Sequence, residues 1–420
     1  MTRSPWWWIP TLYVGQGLPY AAVMTLAVVL YKNLGLDNTA VALYTSWLYL
    51  PWVVKPLWAP LVDLLRTKRW WIVAMQLLAG ALMGAVALTL PAPLAVQASL
   101  ALFALLAFAS ATHDIAADGF YLLALAQAQQ ASFVGVRSLF WRVAMLAGQG
   151  GLVSAAGLLA ERSGVVAAWQ IVFGALAALF GAFALWHALL LPRPAADRAL
   201  GSAAGLWRGF AESFRSFFRR DDLALVLAFL LLFRLGEAQL VKLVAPFLLD
   251  DRAQGGLALS TAQLGLTYGG WGVAALSAGG LLGGWVISRH GLARWLWPMV
   301  AAIHVPNALF VALAAWQPQS LALVTLAVCA EQFGYGFGFA AYLMFMVWVA
   351  QGERATAHYA LCTGFMALGM MLPGMASGWV QQRLGYTGFF AWVCLCTLPS
   401  VAVALRLRIP ADFGRRTEAP

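Results

Sequence analysis

The residues of this chain most suited to chemistry are ionisable side chains that stand inside long apolar segments. They are the acids Asp114, Asp118, Glu237 and Glu331 and the bases Lys55, Arg142, Arg234 and Lys242. A charge at the centre of a bilayer costs several kcal/mol to insert, so such residues are rare unless they bind a substrate, an ion or one another. A carboxyl group held in a dry site can also take up and release a proton near neutral pH. The pattern therefore predicts ion pairing, substrate binding and proton transfer within a membrane.

The buried charges in the first part of the chain fall at two depths. Counted at 1.5 Å per residue from the nearest segment end, Lys55, Asp118 and Arg142 lie about 11–14 Å from the cytoplasmic side, which predicts a buried ion-pair core. Asp114 lies one helical turn from Asp118 on the same face and about 16–18 Å deep. We expect Asp114 to meet substrate or protons.

The second part of the chain repeats this arrangement with different residues. Arg234 and Glu237 are three positions apart and share a helix face, and both lie near mid-depth, as does Glu331. Arg234, Glu237 and Glu331 are therefore candidates for a substrate or proton pathway. An alternative is that the buried charges form internal pairs, Asp118 with Arg142 and Arg234 with either glutamate, that hold helices in register.

Two glycine-rich runs supply further candidates. Residues 15–20 break the first apolar segment, and irregular backbone at membrane depth is tolerated where it lines a cavity. Residues 334–339 mix glycine with aromatic rings that can stack on a sugar, although close helix packing explains the glycines equally well. The candidate cavity-lining residues are Gln16, Tyr20, His113 and Tyr335.

Composition identifies the elements that must position these side chains. The chain is 62% hydrophobic and 10% charged, with a mean hydropathy of +0.79, whereas soluble chains are about a quarter charged. Twelve apolar segments of about 20 residues or more fit bilayer-spanning helices. They are residues 9–31, 39–62, 71–91, 96–125, 133–160, 167–191, 223–249, 260–288, 293–316, 319–349, 355–382 and 386–408. The predicted fold is an all-α polytopic membrane protein of two six-helix halves.

Charge sorting predicts the orientation. Of the 26 basic residues, 18 fall in loops on one side, four on the other and four within the segments, while the 16 acids divide as eight, four and four. The net charge of +10 therefore lies on one face, which the positive-inside rule assigns to the cytoplasm together with both termini. Because the bases are spread over short loops, we do not expect nucleic-acid binding. The four cysteines lie in apolar segments without metal-ligand spacing, so no metal or cofactor is expected.

A polar connection and an internal repeat predict the domains. The expected organisation is an N-terminal half at 1–191, an amphipathic cytoplasmic linker at 192–222, a C-terminal half at 223–408 and a tail at 409–420. Residues 59–70 align with 284–295 at a constant offset of 225. Two six-helix halves related along the membrane normal resemble the major facilitator superfamily, whose loop charges latch helix ends in one access state. The corresponding residues are Asp63, Arg66, Arg69, Arg289 and Arg294.

The first half resembles the AmpG-type permeases of that superfamily. The matching stretches are residues 17–20, 51–63, 111–119 and 141–150. Members import cell-wall fragments such as muropeptides with the proton gradient, which implies a bacterial inner-membrane permease whose partners are a small molecule, protons and lipid. The resemblance also places Lys55, Asp114, Asp118 and Arg142 in the family's polar core.

Two other functions remain open from the sequence. His113 and the pair Phe120-Tyr121 depart from the AmpG pattern, and the Ala-Asp-Gly sequence at 117–119 is nearer to that of ferric-siderophore importers of the same fold. An integral-membrane acyl or glycosyl transferase would place histidine and acids at the membrane interface, whereas the acids here lie at mid-depth. We therefore expect a monomeric transporter rather than an enzyme.

Overall fold

The computed structural model describes residues 4–199, 203–351 and 355–415, which form helices joined by short turns. The helices of the first part are α1 (Ile9–Ala21), α2 (Ala27–Asn33), α3 (Asn38–Trp47), α4 (Leu50–Leu65), α5 (Lys68–Thr89), α6 (Ala95–Ala124), α7 (Gln127–Met145), α8 (Val153–Ser163), α9 (Val165–Leu190) and α10 (Ala203–Phe218). The helices that follow are α11 (Leu223–Leu232), α12 (Leu235–Leu249), α13 (Thr261–Leu264), α14 (Val273–His290), α15 (Leu292–His304), α16 (Ala308–Trp316), α17 (Leu321–Val349), α18 (Ala355–Leu395) and α19 (Thr397–Ala404).

The chain divides into two compact units. The first comprises Met1–Gly35 and Trp47–Phe210, and the second comprises Leu36–Ser46 and Ala211–Pro420. Most of α3 thus packs with the second unit, although it precedes α4 directly in sequence. The predicted linker and tail stay predictions, since residues 200–202 and 416–420 lie outside the described part.

Among the described residues, ten helical stretches are long and apolar enough to cross a membrane. The second predicted segment does not count among them because it is divided into α3 and α4. The last two predicted segments run together as one stretch, Ala357–Ala404. Gly385 interrupts it with a φ of 67°, a conformation that glycine adopts without steric cost. The polytopic all-α fold is therefore present, while the number twelve stays a prediction.

The long helices are interrupted where the sequence is rich in proline or glycine. Wider π-turns occupy Ala22–Leu26, just after Pro19, and Leu146–Leu152 and Gly265–Gly272. Such turns open the backbone hydrogen-bond ladder locally and often accompany functional sites.

Glycines let neighbouring helices approach almost to backbone contact. In the first unit, a Cβ at Gly17 would lie 2.6 Å from the Cβ of Ala144, so α1 and α7 pack tightly. In the second, a Cβ at Gly336 would lie 2.1 Å from the Leu276 carbonyl oxygen of α14. The glycine run of α17 therefore serves packing, which was one of the two interpretations of its sequence. This close packing fixes the position of Glu331, the charged residue of α17, relative to the neighbouring helices.

Candidate functional site

The first unit holds Asp114 of α6 between two donors. The carboxylate pairs with Lys55 of α4, and its other oxygen accepts a hydrogen bond from the Gln16 amide of α1. The side chains of Lys55 and Asp114 are 25% and 22% exposed, while Gln16 is buried. These three predicted residues therefore form one partly accessible cluster that offers hydrogen-bond donors and an acceptor. Such a cluster suits a polar, uncharged or zwitterionic ligand.

Asp118 has a different partner from the one that the sequence predicts. Its carboxylate lies 3.0 Å from Nη2 of Arg137 and 3.4 Å from the hydroxyl of Tyr13, rather than against Arg142. Positions 137 and 142 differ by about 140° around a helix, so the two arginines of α7 point in different directions. The predicted segment 133–160 contains Arg137, but the sequence analysis did not name it among the buried bases; it lies in the middle of α7, which begins at Gln127.

Two tyrosine rings hold the Arg137 guanidinium in place. Its Cζ lies 4.9 Å from the ring centroid of Tyr13 and 5.5 Å from that of Tyr121. Cation–π contacts of this kind contribute about 0.5–1 kcal/mol each at exposed sites. The Asp118–Arg137 pair consequently ties α1, α6 and α7 together.

His113 belongs to a buried hydrogen-bond chain, whereas the sequence analysis named it as a candidate cavity-lining residue. The hydroxyl of Thr11 lies 2.9 Å from Nε2 of His187, whose Nδ1 lies 2.9 Å from Oε1 of Gln76. Nε2 of Gln76 lies 3.0 Å from Nε2 of His113. The chain links α1, α9, α5 and α6, and its middle members are fully buried. It satisfies polar groups that would be costly to leave unpaired in a membrane.

The ring of Tyr20 contacts the rings of two tryptophans, Trp52 and Trp141. Its ring centroid lies 5.3 Å from that of Trp52 and 6.2 Å from that of Trp141, and Trp141 is exposed. The result is a half-buried aromatic surface next to the glycine-rich end of α1. Stacking on such a surface is one of the ways in which proteins bind sugars.

In the second unit, Arg234 lies in an aromatic cage at a break in the helix. Its Cζ is 4.7 Å from the Phe339 ring centroid, 5.2 Å from that of Tyr335 and 6.0 Å from that of Tyr342. Arg234 also donates a hydrogen bond to the hydroxyl of Tyr335. The predicted cavity residue Tyr335 thus serves to hold the guanidinium.

Glu237 and Glu331 lie beside this cation. Glu237 stands in the first turn of α12, where the helix dipole favours negative charge, and it interacts electrostatically with Arg234 and with Glu331. Both glutamates are 1% exposed, and Glu331 accepts a 3.0 Å hydrogen bond from Gln332. In the part of the chain that the structure describes, Oε2 of Glu237 and Oε1 of Glu331 have no hydrogen-bond partner.

Two further polar clusters join α3 to the rest of the second unit. Nζ of Lys242 donates a 3.1 Å hydrogen bond to Thr45. Asn38 lies 3.0 Å from Oδ2 of Asp250, which also accepts from the Tyr386 hydroxyl at 2.5 Å. Sequence analysis missed Asn38 and Asp250, because both fall at predicted segment ends, where polar residues are ordinary.

The residues of the predicted latch contact helix ends and tryptophan rings close to them. Arg69 donates to the carbonyl oxygens of Ala188 and Leu191 at the end of α9. The Arg66 guanidinium lies 5.8 Å from the Trp70 ring, and the side chain of Asp63 lies outside the described part. In the second unit, Arg289 lies 4.7 Å from the Trp285 ring, and Arg294 is exposed. The latch itself stays a prediction.

A family model confirms what kind of protein this chain is. The model of the BT1 family matches residues 14–232, more than half of the chain. The chain belongs to the BT1 family.

The amino-acid sequence of this BT1-family chain is also similar to those of bacterial transporters. It is 25% identical over 369 residues to the anhydromuropeptide permease of Escherichia coli, covering 87% of this chain and 72% of the permease. It is 24% identical over 411 residues to the AmpG 4 transporter of Rickettsia conorii, covering 94% of each. The expectation of a transporter rather than an enzyme is thereby confirmed.

Solved structures confirm the fold of this BT1 chain. Nucleoside transporter NupG superposes with a TM-score of 0.65 at 16% identity, over 94% of this chain and 96% of NupG. A D-xylose-proton symporter superposes with a TM-score of 0.66 at 13% identity, over 97% of each chain. The predicted major facilitator fold is correct, and the chain is a multi-span transporter of the inner membrane that carries a small molecule.

Proposed function

We propose that this BT1-family chain imports an amino-sugar-containing cell-wall fragment, similar to a muropeptide, together with protons. The import proceeds by alternating access in a monomer whose two termini are cytoplasmic. Support for the substrate comes from the anhydromuropeptide permease, to which 87% of the chain aligns. Support for the coupling comes from the buried charges of the second unit.

The substrate group in this proposal is the Gln16–Asp114–Lys55 cluster. An amino sugar carries hydroxyl and amide groups, which both donate and accept hydrogen bonds. Asp114 accepts, Lys55 and Gln16 donate, and the Lys55–Asp114 pair is about a quarter exposed. The exposed rings near Tyr20 add a surface on which a sugar ring can stack.

The observation that carries proton coupling is the charge balance around Arg234. Arg234 interacts with the buried carboxylate of Glu237, which in turn interacts with that of Glu331, so these three side chains carry one net negative charge when both acids are ionised. An uncompensated acid at mid-membrane costs about 2.5–3.5 kcal/mol by insertion measurements. One bound proton makes the cluster neutral. The cluster therefore gains a proton when it is sealed and can lose it when water reaches it.

The experiment is uptake into sealed proteoliposomes under an imposed inward proton gradient. A labelled anhydro-muropeptide should accumulate, and Glu331→Gln should abolish accumulation because it fixes the cluster in its neutral form. The matched control is Glu212→Gln, which alters an exposed acid on α10. Accumulation of a ferric siderophore in place of the muropeptide would refute the substrate, and accumulation that ignores the proton gradient would refute the coupling.

We also propose that residues 59–70 and 284–295 regulate the access state, as in the predicted latch, and that the linker lies on the cytoplasmic leaflet. The contacts of Arg69 with the end of α9 support this role, since they tie the loop after α4 to another helix end. Substitution of Arg69 by methionine should slow transport while substrate binding is kept.

A further inference from the structure

His304 and Asn307 are buried polar residues at a break between α15 and α16. The break is the tight turn Val305–Asn307, where Pro306 supplies no N–H and interrupts the helix. His304 is 7% exposed and Asn307 is not exposed. Within residues 4–199, 203–351 and 355–415, neither ring nitrogen of His304 nor either amide atom of Asn307 has a hydrogen-bond partner. Each such group costs about 1–3 kcal/mol when left unmatched.

Helix packing brings the α15–α16 break beside the part of α17 that contains Glu331. Gly334 and Gly338 of α17 pack on α15, because a Cβ at Gly334 would lie 2.1 Å from the Ala302 carbonyl oxygen and one at Gly338 would lie 2.6 Å from that of Met299. Glu331 precedes these glycines by three and seven positions, so it shares their face. The two helices run antiparallel, because the later glycine of α17 meets the earlier residue of α15. The turn of α17 that contains Glu331 therefore lies beside the residues that follow Ala302.

His304 lies at the level of the α11–α12 break that carries Arg234 and Glu237. Its ring centroid is 5.6 Å from that of Phe233, the residue before Arg234. A cavity of about 470 Å³ is lined by His304 together with Thr397, and Thr397 also packs against Gly236. The break of α11–α12, the break of α15–α16 and the middle of α17 thus meet in one place.

The unmatched atoms in this place are complementary. Glu237 and Glu331 offer free acceptor oxygens, while the Asn307 amide and the His304 ring offer donors. A buried water needs two to four polar partners, and these side chains supply them. We infer that Asn307 and His304 are positioning residues of the proton site, where they hydrogen-bond through bridging water to Glu331 and Glu237 and orient the carboxyl that carries the proton. This inference rests on the proposed proton coupling.

The other titratable or charged groups around Glu331 are few. Helices α11 and α12 bring Arg234 and Glu237, α15 brings His304, and α17 itself brings Tyr335. Residues 269–288, which cover the side of α14 towards α17, contain no acid, base, cysteine or tyrosine. The stretch of α18 and α19 beside Gly236 brings the neutral thiols Cys394 and Cys396. The charges of the site are consequently those of Arg234 and the two glutamates.

The test combines infrared spectroscopy with transport in proteoliposomes. The carbonyl stretching band of protonated Glu331 is identified as the band that Glu331→Gln removes. Since a hydrogen bond weakens a carbonyl bond, Asn307→Leu and His304→Phe should move this band to higher wavenumber. Proton-driven uptake should fall about tenfold, which corresponds to about 1.4 kcal/mol, while exchange of labelled for unlabelled substrate, which needs no net proton movement, should be unchanged.

Conservative and control variants separate the possible outcomes. The conservative variant Asn307→Ser keeps a hydrogen-bond donor and should retain most of the uptake. The control variant Thr267→Val removes a buried hydroxyl elsewhere in the same unit and should leave the Glu331 band in place. If the Glu331 band is present but unmoved in both Asn307→Leu and His304→Phe, the positioning role is wrong while proton coupling stands. If no band is lost in Glu331→Gln and a sodium gradient drives uptake, the proton site itself is wrong.

Discussion

Removal of Arg137 should destabilise the first unit, and removal of Arg142 should not. Arg137→Met leaves the Asp118 carboxylate without its 3.0 Å ion pair and removes two cation–π contacts. Arg142, within the described residues, has no carboxylate at ion-pair distance. The two arginines lie five positions apart on the same helix, so each is the control for the other.

The magnitude follows from the exposure of the pair. The side chains of Arg137 and Asp118 are 32% and 40% exposed, so the pair is intermediate between a surface ion pair and a buried one. A surface pair contributes about 0–1 kcal/mol, and breaking a buried pair costs about 3–5 kcal/mol. Loss of the ion pair therefore costs about 1–2 kcal/mol. The contacts with Tyr13 and Tyr121 add about 0.5–1 kcal/mol each. We expect a total loss of about 2–4 kcal/mol in the free energy of unfolding.

Thermal unfolding in detergent measures this loss, followed by intrinsic tryptophan fluorescence, to which the buried Trp8 and Trp169 of the first unit contribute. The double variant Arg137→Met with Asp118→Asn should regain about 1–2 kcal/mol, because no unpaired charge is then left. Two outcomes would refute the pairing. The first is that Arg142→Met lowers the melting temperature as much as Arg137→Met does. The second is that Asp118→Asn restores the stability of the Arg142→Met variant but not that of the Arg137→Met variant.

Three further outcomes follow from local geometry. Lys55→Met should raise the substrate KM of uptake by tenfold or more, because it removes a donor from the accessible cluster; an unchanged KM in the uptake assay would remove Lys55 from the substrate site. Gly336→Val should prevent stable folding, since a Cβ would lie 2.1 Å from the Leu276 carbonyl oxygen, and normal yield and melting temperature would contradict the close packing. The Arg220 guanidinium holds the pKa of Asp222 below its usual range. The stabilisation from this pair is therefore complete above the unfolded-state pKa of about 3.9. It is lost as the pH falls through the lower pKa of the folded state. Asp222→Asn should therefore flatten the acid limb of melting temperature against pH, and an unchanged limb would show that the pair contributes nothing.

The sequence by itself determined the class of fold and most of the residues worth testing. Runs of about 20 apolar residues have few stable arrangements other than membrane helices, because every backbone polar group must be satisfied within the segment. A charge within such a run is conspicuous for the same reason. The sequence therefore predicted Asp114, Glu237 and Glu331 as buried acids and Arg234 as a buried base.

Sequence periodicity also predicted which residues share one helix face, but not which residues of other helices meet them. It could not predict that Asp118 pairs with Arg137, or that Asp114 lies between Gln16 and Lys55. Those contacts depend on how each helix is rotated and how far it is shifted along its neighbours. Interhelical packing sets both quantities, and no local pattern records them.

Tertiary structure also decided the roles of residues without a local signal. Asn307 and His304 resemble ordinary members of an apolar segment until the turn at Pro306 brings them to the level of Glu331. Residues 36–46 continue into α4 along the chain, yet they pack with the second unit. In both cases the deciding contacts join residues far apart in sequence. The hydrophobic pattern determines that a helix lies in the membrane, and side-chain packing between helices determines its neighbours.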